Sequence, residues 1–361
     1  MRITDIVEDV INDRFNIKGY IKQLPKATVI IGAFWVLVLI LGSVLGFSIT
    51  NLLSNAIQRF GLWGLFVLAM VPSIQSGTGP NFALPIGICG GLFATVTAIQ
   101  LGFTGATLLL IAGIMAVIMG CGLGYVYGKL MNAVKGSEMA IATYTGFSIT
   151  FLFCLLWTIL PYANPNIGWF MGEGLRNFIA LEPLEAERII DNFMKFSVLG
   201  IDIPLGTILL VLICCVLMWL FFRSKTGLAI TASGMNPMFA TASGLSVDKN
   251  RVIANMISTS LAAVGIIIYA QGFGLLQLYD GPLLMAFPAV AAILVGGASA
   301  QKSRVINVVI GTLLYQGILA NAPPVFGKML QGADMTDAVR MVVQNGVILY
   351  ALTQLKRGSK A

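Results

Sequence analysis

The sequence predicts an all-α, polytopic membrane protein, and two features of its composition support this class. Hydrophobic residues make up 57% of the 361 residues, and charged residues only 10%. The mean hydropathy of +0.89 is too high for one or more soluble domains. The first 26 residues lack the apolar core and cleavage site of a signal peptide, so we expect the first apolar run to remain as a membrane anchor.

Ten apolar segments are long enough to cross about 30 Å of hydrocarbon as helices. Several are short or interrupted by Pro72, Pro85 or Pro288, and a bilayer tolerates such breaks only where protein or a cavity satisfies the freed backbone groups. The predicted spans, within one transmembrane domain of residues 27–355, are residues 28–49, 60–77, 83–101, 104–126, 139–160, 203–222, 252–273, 283–300, 305–322 and 338–355.

The positions of the basic residues predict the orientation of these spans. With the N-terminus in the cytoplasm, 16 of the 22 Lys and Arg residues fall on the cytoplasmic side, as the positive-inside rule requires. Residues 1–26 are then cytoplasmic, and within them residues 2–13 have the pattern of an amphipathic surface helix, with a frayed tail as the alternative. Residues 356–361 form a cytoplasmic tail. The net charge of +7 follows from this asymmetry, so membrane lipid is the expected neighbour and nucleic acid is not.

Several kinds of chemistry are missing from the sequence. The chain has no His, and its five Cys lie in apolar runs without metal-ligand spacing, so we expect no metal site and no catalytic residues. No Gly-x-x-x-x-Gly-Lys-[Ser/Thr] loop is present to hold a nucleotide. Arg340 is the only charged residue within the predicted spans. This argues against a proton-coupled carrier, because such a carrier needs a buried ionisable group.

The cytoplasmic loop 223–251 contains a predicted short helix. Asn236 followed by Pro237 is typical of a helix N-cap and first helical residue, and Gly244 supplies a left-handed stop. The exposed face suits a groove on another protein, and an amphipathic helix lying on the membrane is the alternative. The residues of this predicted exposed face are Met238, Phe239, Ala240, Ala242 and Ser243.

The same stretch resembles a known family. Gly234-Met-Asn-Pro-Met-Phe-Ala-Thr-Ala-Ser-Gly-Leu245, followed by Ser-Val-Asp-Lys-Asn-Arg251, resembles the coupling-loop signature of ABC-importer permeases for ribose, simple sugars, nucleosides and branched-chain amino acids. Leu294-Val-Gly-Gly-Ala-Ser299 and Val309-Ile-Gly-Thr-Leu313 resemble two later segments of that family, so the resemblance covers about residues 200 to 355. The residues to which it assigns coupling are Gly234, Asn236, Pro237, Met238, Phe239, Ala240, Ser243 and Gly244.

This resemblance implies a function and a set of partners. The chain would be the transmembrane permease subunit of an ATP-driven importer in the bacterial cytoplasmic (inner) membrane. The short helix would dock into a separate ATPase subunit, which would bind the ATP and Mg while this chain binds no cofactor. A second permease copy or a similar protein, and an extracytoplasmic solute-binding protein, would complete the assembly.

The sequence does not assign the solute to a single class. Upstream, Gly77-Thr-Gly-Pro-Asn-Phe-Ala-Leu-Pro85 stands where the ribose-like members have a Gly-Ile-Asp-Leu-Ser-type segment. A simple sugar or nucleoside is favoured, and a branched-chain amino acid is the alternative. From another class, an ion-coupled secondary transporter of small solutes is favoured by a faint inverted repeat, with Gly79-Pro80 and Gly281-Pro282 predicted on opposite sides. A passive channel is the third candidate.

Uncharged polar residues inside the spans are candidates for the solute path. Interhelical hydrogen bonding is the alternative role for each of them. The outer loop 161–202 has an excess of acidic residues, so it either docks the binding protein or is a solvated loop, and Leu184–Met194 could form a short helix in it. Gly120, Gly124 and Gly128 are predicted to allow close helix packing. The path candidates are Asn255, Thr259, Gln271, Asn307, Gln316 and Asn345.

Overall fold

Long helices dominate the protein. The computed structural model describes residues 26–169, 174–193, 195–198, 201–299, 301–330 and 335–358, so the predicted helix at residues 2–13 lies outside the described residues. Helices of the first half are α1 Lys26–Val44, α2 Ile49–Gln75, α3 Leu84–Gln100, α4 Gly105–Ala133 and α5 Glu138–Ile159. Those that follow are α6 Ile189–Asn192, α7 Leu205–Phe221, α8 Lys225–Met235, α9 Pro237–Ala242, α10 Val247–Phe273, α11 Gly281–Val295, α12 Val305–Met329 and α13 Met335–Gly358.

Each of the ten predicted spans falls on one of these helices. Six of them, α1, α2, α4, α5, α10 and α12, are individually long and apolar enough to cross a membrane. The helices α7 and α8, which are bent by 77° relative to each other, meet the same criterion of length and composition only as a pair. The helices α3 and α11 have only 17 and 15 residues. The protein is therefore a multi-pass membrane protein, and the count of ten crossings stays a prediction.

The two halves of the chain repeat one pattern of five helices. The corresponding helices have similar lengths. The first, α1 and α7, have 19 and 17 residues, α2 and α10 both have 27, and α3 and α11 have 17 and 15. The last two pairs are α4 and α12, with 29 and 25 residues, and α5 and α13, with 22 and 24. Their packing also corresponds, because α10 packs on α4 and α12 packs on α2. If all ten predicted spans cross the membrane, five crossings lie between the start of α1 and the start of α7. The two halves then cross the membrane in opposite directions, as in an inverted repeat.

The packing of α4 on α10 depends on missing side chains. A Cβ atom added to Gly120 would lie 2.6 Å from the Cα of Ser260, and one added to Gly128 would lie 2.8 Å from the Cα of Val252. A Cβ at Gly124 would overlap α10 in the same way. The prediction of close helix packing at these three glycines is confirmed. Such contacts matter in a membrane, where van der Waals packing replaces much of the hydrophobic drive between helices.

The outer loop contains short strands that the sequence did not predict. Strand β1, Phe178–Ala180, pairs with β4, Leu275–Gln277, and β2, Lys195–Val198, pairs with β3, Ile201–Pro204, both antiparallel. The predicted helix at residues 184–194 is reduced to the four residues of α6. Glu185 and Arg188 have positive φ angles of 53° and 51°, which interrupt helical geometry ahead of α6.

The glycine contacts on α4 give the first test. Gly124→Ala should lower the free energy of unfolding by about 1–3 kcal/mol, because the added methyl group overpacks the contact with α10. Gly122→Ala is the matched control on the same helix, since an added Cβ there meets no atom within 4 Å. Thermal unfolding followed by size-exclusion chromatography in detergent compares the two variants. Equal stability of the two would contradict this account of the α4–α10 packing.

Candidate functional site

The predicted short helix is present with its predicted capping. The side chain of Asn236 accepts a hydrogen bond from the backbone N–H of Phe239 at 3.0 Å, and Pro237 occupies the first turn of α9. The helix ends at Ala242, and Gly244 has a φ angle of +80°. The local sequence therefore sets both ends of α9, as a cap followed by a left-handed glycine should.

The exposed face of α9 differs from the prediction at one residue. Met238 and Phe239 are 86% and 66% exposed, and Met235 just before the helix is 68% exposed. Ala240, which was predicted to lie on this face, is fully buried within the chain. The reason is that α9 packs against α8 and α10, so one side of the short helix faces these helices rather than solvent. The α9 surface, as we call it, consists of Met235, Met238 and Phe239.

A contact between two glycines attaches α8 and α9 to the transmembrane helices. Gly234, in the last turn of α8, lies so close to α2 that an added Cβ would be 2.7 Å from the nitrogen of Gly77 and would overlap the carbonyl oxygen of Gln75. Gly77 in turn has a φ angle of +78°, which favours glycine. Each glycine thus allows the other to approach, and the end of α8 lies directly against the end of α2.

Residues 76–83, the turn between α2 and α3, run from this end of the bundle back toward its middle. Asn81 is fully buried and donates to the hydroxyl of Ser258 at 2.8 Å, and Ser258 donates to the carbonyl of Ala69 at 2.6 Å. Ser258 lies about 16 Å along α10 from Val247, at 1.5 Å per residue. Non-helical backbone at such a depth is tolerated only where protein or a cavity surrounds it, and buried side-chain hydrogen bonds meet that condition here.

The start of α10 carries a buried ion pair that the sequence did not predict. Arg251 was placed in the cytoplasmic loop, but α10 begins at Val247 and contains it. Its Nη2 lies 2.5 Å from Oε1 of Glu138, at the start of α5, and donates to the carbonyl of Gly77 at 3.4 Å. The two side chains are only 8% and 18% exposed. A buried guanidinium needs a partner, and here it connects three separate elements, which are α10, α5 and the turn that follows α2.

A comparison with known proteins identifies the class. A sequence profile described as "Branched-chain amino acid transport system / permease component" matches residues 52–352, which is most of the chain. The chain belongs to this permease family. It is therefore a permease subunit of the ABC importer class, and the resemblance stated from the sequence is confirmed.

Three transport permeases are similar in sequence to this permease. The galactofuranose transporter permease protein YtfT of Escherichia coli K12 is 25% identical over 324 residues, covering 82% of this permease and 90% of the relative. The nucleoside ABC transporter permease protein NupB of Lactococcus lactis is 23% identical over 213 residues, covering 58% and 55%. The "Probable branched-chain amino acid transport permease protein LivH" of Methanocaldococcus jannaschii is 23% identical over 188 residues, covering 40% and 58%. The matches to the last two thus span little more than half of those proteins.

Most of the predicted path residues lie inside the permease rather than on a surface. Thr259 donates to the carbonyl of Gly120 at 2.8 Å, across the α4–α10 contact. Asn307 donates to the carbonyl of Gly296 at 2.6 Å and holds the start of α12 against the end of α11. Asn255 is fully buried and donates to the carbonyl of Arg251 at 3.0 Å. In this conformation Thr259 and Asn307 bond across contacts between helices, whereas Asn255 bonds within α10.

The remaining path candidates have different surroundings. Gln271 donates to Oδ1 of the buried Asp191 at 3.3 Å and accepts from the backbone N–H of Ile190, so it holds the outer loop. Gln316 is fully buried, and neither of its amide atoms has a hydrogen-bond partner in the described part of the chain. Asn345 is exposed on α13. Of the six candidates, Asn345 alone is exposed.

The acidic residues of the outer loop form an open depression of about 330 Å³. The side chains that line it carry both signs of charge. No group of His, Cys, Asp or Glu side chains capable of holding a metal ion occurs in the described ranges. The lining residues are Glu182, Glu185, Glu187, Arg188 and Asn192.

Proposed function

We propose that the α9 surface is the docking site for the ATPase subunit of the importer. The observation that carries this proposal is the pair of exposed side chains Met238 and Phe239 on a helix whose two ends are fixed by its own sequence. Large apolar and aromatic side chains are typical anchors of protein interfaces. A helix lying on the membrane surface would also expose them, but it would not need the rigid attachment that Gly77 and Gly234 provide.

The ATP and Mg belong to that partner in this proposal. The permease has no nucleotide-binding loop of the Walker type, and its energy would come from closure of the docked ATPase. The α9 surface then faces the cytoplasm of a bacterium, and the N- and C-termini lie on the same side. Ten crossings of the cytoplasmic membrane, an even number, are consistent with this orientation and place most of the basic residues on the cytoplasmic side.

A second permease subunit, identical or similar, would enclose the solute path. The support comes from α13, which is not among the six individually apolar spans found in the described chain. It exposes Arg340 and Asn345, and polar side chains facing lipid are unfavourable. A subunit packed against α13 would remove these groups from lipid and leave a polar path between the two copies.

The solute of this path is most simply a sugar or a nucleoside. The relative with the longest match is a galactofuranose permease, and a nucleoside permease is among the others. Asn345, the path candidate exposed on α13, is uncharged, which suits a polar solute without net charge. A branched-chain amino acid is the alternative, supported by the family description and by the third relative. The inverted repeat was the reason to consider an ion-coupled carrier. Because the chain belongs to an ABC permease family and the repeated helices are equally compatible with such a permease, that reason no longer applies.

The α9 surface gives a direct test of ATPase docking. The double variant Met238→Ser/Phe239→Ser should reduce affinity for the ATPase at least about tenfold, because truncating interface anchors of this kind costs about 2 kcal/mol or more. Trp169→Ser is the control, since Trp169 is 55% exposed but lies in the outer loop. Co-purification of the ATPase with each variant measures the effect. Retention of the ATPase at the wild-type ratio by the double variant would refute docking at α9.

The outer loop gives a test of binding-protein docking. Electrostatic complementarity acts mainly on association rate and weakens with salt. Replacing Glu182, Glu185 and Glu187 together with Gln should therefore slow association of the solute-binding protein at low ionic strength, with little effect at high salt. Surface plasmon resonance on the permease in nanodiscs measures both rates. An unchanged association rate at low salt would leave the loop as solvated surface only.

A further inference from the structure

We propose that the ion pair between Arg251 and Glu138 is the joint through which movement of α9 is transmitted to α5. This inference rests on the proposed docking of the ATPase at the α9 surface. Arg251 acts as a positioning residue in it, because it touches neither the ATPase nor the solute. It fixes the position of α5 relative to the docked element.

The first part of the joint connects α9 to the start of α10. The helix α8 leads directly into α9 through Asn236, and Asn250 on α10 donates to the hydroxyl of Ser233 on α8 at 2.8 Å. The next residue of α8, Gly234, lies against Gly77. Displacement of α9 by an ATPase would thus act on α10 and on the turn at residues 76–83 together, because both are in contact with α8.

The second part connects α10 to α5. Nη2 of Arg251 donates to Oε1 of Glu138 at 2.5 Å and to the carbonyl of Gly77 at 3.4 Å. The other carboxylate oxygen of Glu138 accepts the backbone N–H of Gly136 at 2.9 Å, so the carboxylate is fixed at the first residue of α5. The guanidinium therefore links the 76–83 turn, α10 and α5 at one point.

The helix α5 is suited to carry a movement further. It packs against both short helices, α3 and α11, which are the equivalent members of the two halves. At its other end the carbonyl of Trp157 accepts the N–H of Leu175, so α5 is also bonded to the outer loop. A shift at Glu138 would act on the middle of the bundle and on its outer end.

A second ion pair provides a matched control. Lys135 and Asp248 are also 2.5 Å apart, and they too connect the segment between α4 and α5 to the start of α10. Their side chains are 53% and 59% exposed, whereas those of Arg251 and Glu138 are almost covered. An exposed pair is screened by water and salt and holds its partners weakly, so its removal should leave transmission intact.

The experiment measures the response of α5 to nucleotide in the complex of permease and ATPase in nanodiscs. A single cysteine replaces Ile159, the last residue of α5, which is 67% exposed at the outer end of the predicted span, in a chain without its native cysteines. The labelling rate with a maleimide is compared without nucleotide and after trapping with ATP and vanadate. With the native ion pair, trapping should change the rate at least about fivefold, the lower end of ordinary coupling between sites.

Three further chains separate transmission from stability. The apolar pair Arg251→Met/Glu138→Leu should assemble with the ATPase, because apolar side chains often replace a buried ion pair without loss of stability. The pair Arg251→Gln/Glu138→Gln keeps hydrogen-bonding side chains without charge and is used if the apolar pair does not assemble. Both should retain the ATPase at the wild-type ratio and lose the change in labelling rate. The control pair Lys135→Met/Asp248→Leu should keep it.

Each alternative outcome decides against the joint. A full response in either variant of the buried pair would make Arg251 and Glu138 a purely structural contact. An absent response with the native pair would show that α5 does not follow the ATPase, and failure of both variants to assemble would assign the pair to folding. If the native permease does not retain the ATPase at all, the result contradicts the proposed docking site. It is distinguishable from the other outcomes, because in all of those the native complex assembles.

Discussion

The contact between the backbones of Gly77 and Gly234 determines how the exposed cytoplasmic element relates to the transmembrane bundle. A side chain at Gly234 would push α8 away from the end of α2. Without that approach, the hydrogen bond from Asn250 to Ser233 and the ion pair of Arg251 would lose their present geometry, because all three contacts meet at the same end of the bundle. The α9 surface is thus part of the bundle rather than a tethered loop.

The rest of the architecture follows from the need to satisfy polar backbone in a membrane. Helices satisfy the hydrogen-bonding groups of their own backbone. The irregular segment at residues 76–83 is instead surrounded by buried hydroxyl and amide groups, such as those of Asn81 and Ser258. Glycines at Gly120, Gly124 and Gly128 bring α4 against α10 closely enough for Thr259 to bond across the contact. The repeated five-helix pattern then places α3 and α11, with 17 and 15 residues, in equivalent positions.

Local features of the structure could be predicted from the sequence, and features formed by distant residues could not. The ten apolar runs and the cap of α9 were predicted because they depend on neighbouring residues alone. The pairing of Arg251 with Glu138 joins residues 113 apart in sequence, and no short pattern marks it. The burial of Ala240 escaped prediction because it depends on how α9 packs against α8 and α10. The outer strands β1 and β4 are separated in sequence by the helices α6 to α10, so their pairing has no local signal either.

Site-specific photocrosslinking at the α9 surface tests the central claim most directly. A photoreactive benzoylphenylalanine is placed at Phe239, and at Trp169 in a parallel chain, with the permease and its ATPase expressed together in cells. Our account predicts a crosslinked band containing the ATPase from Phe239 and none from Trp169, which lies in the outer loop. Absence of the ATPase from the Phe239 products, with the complex intact, would contradict the account.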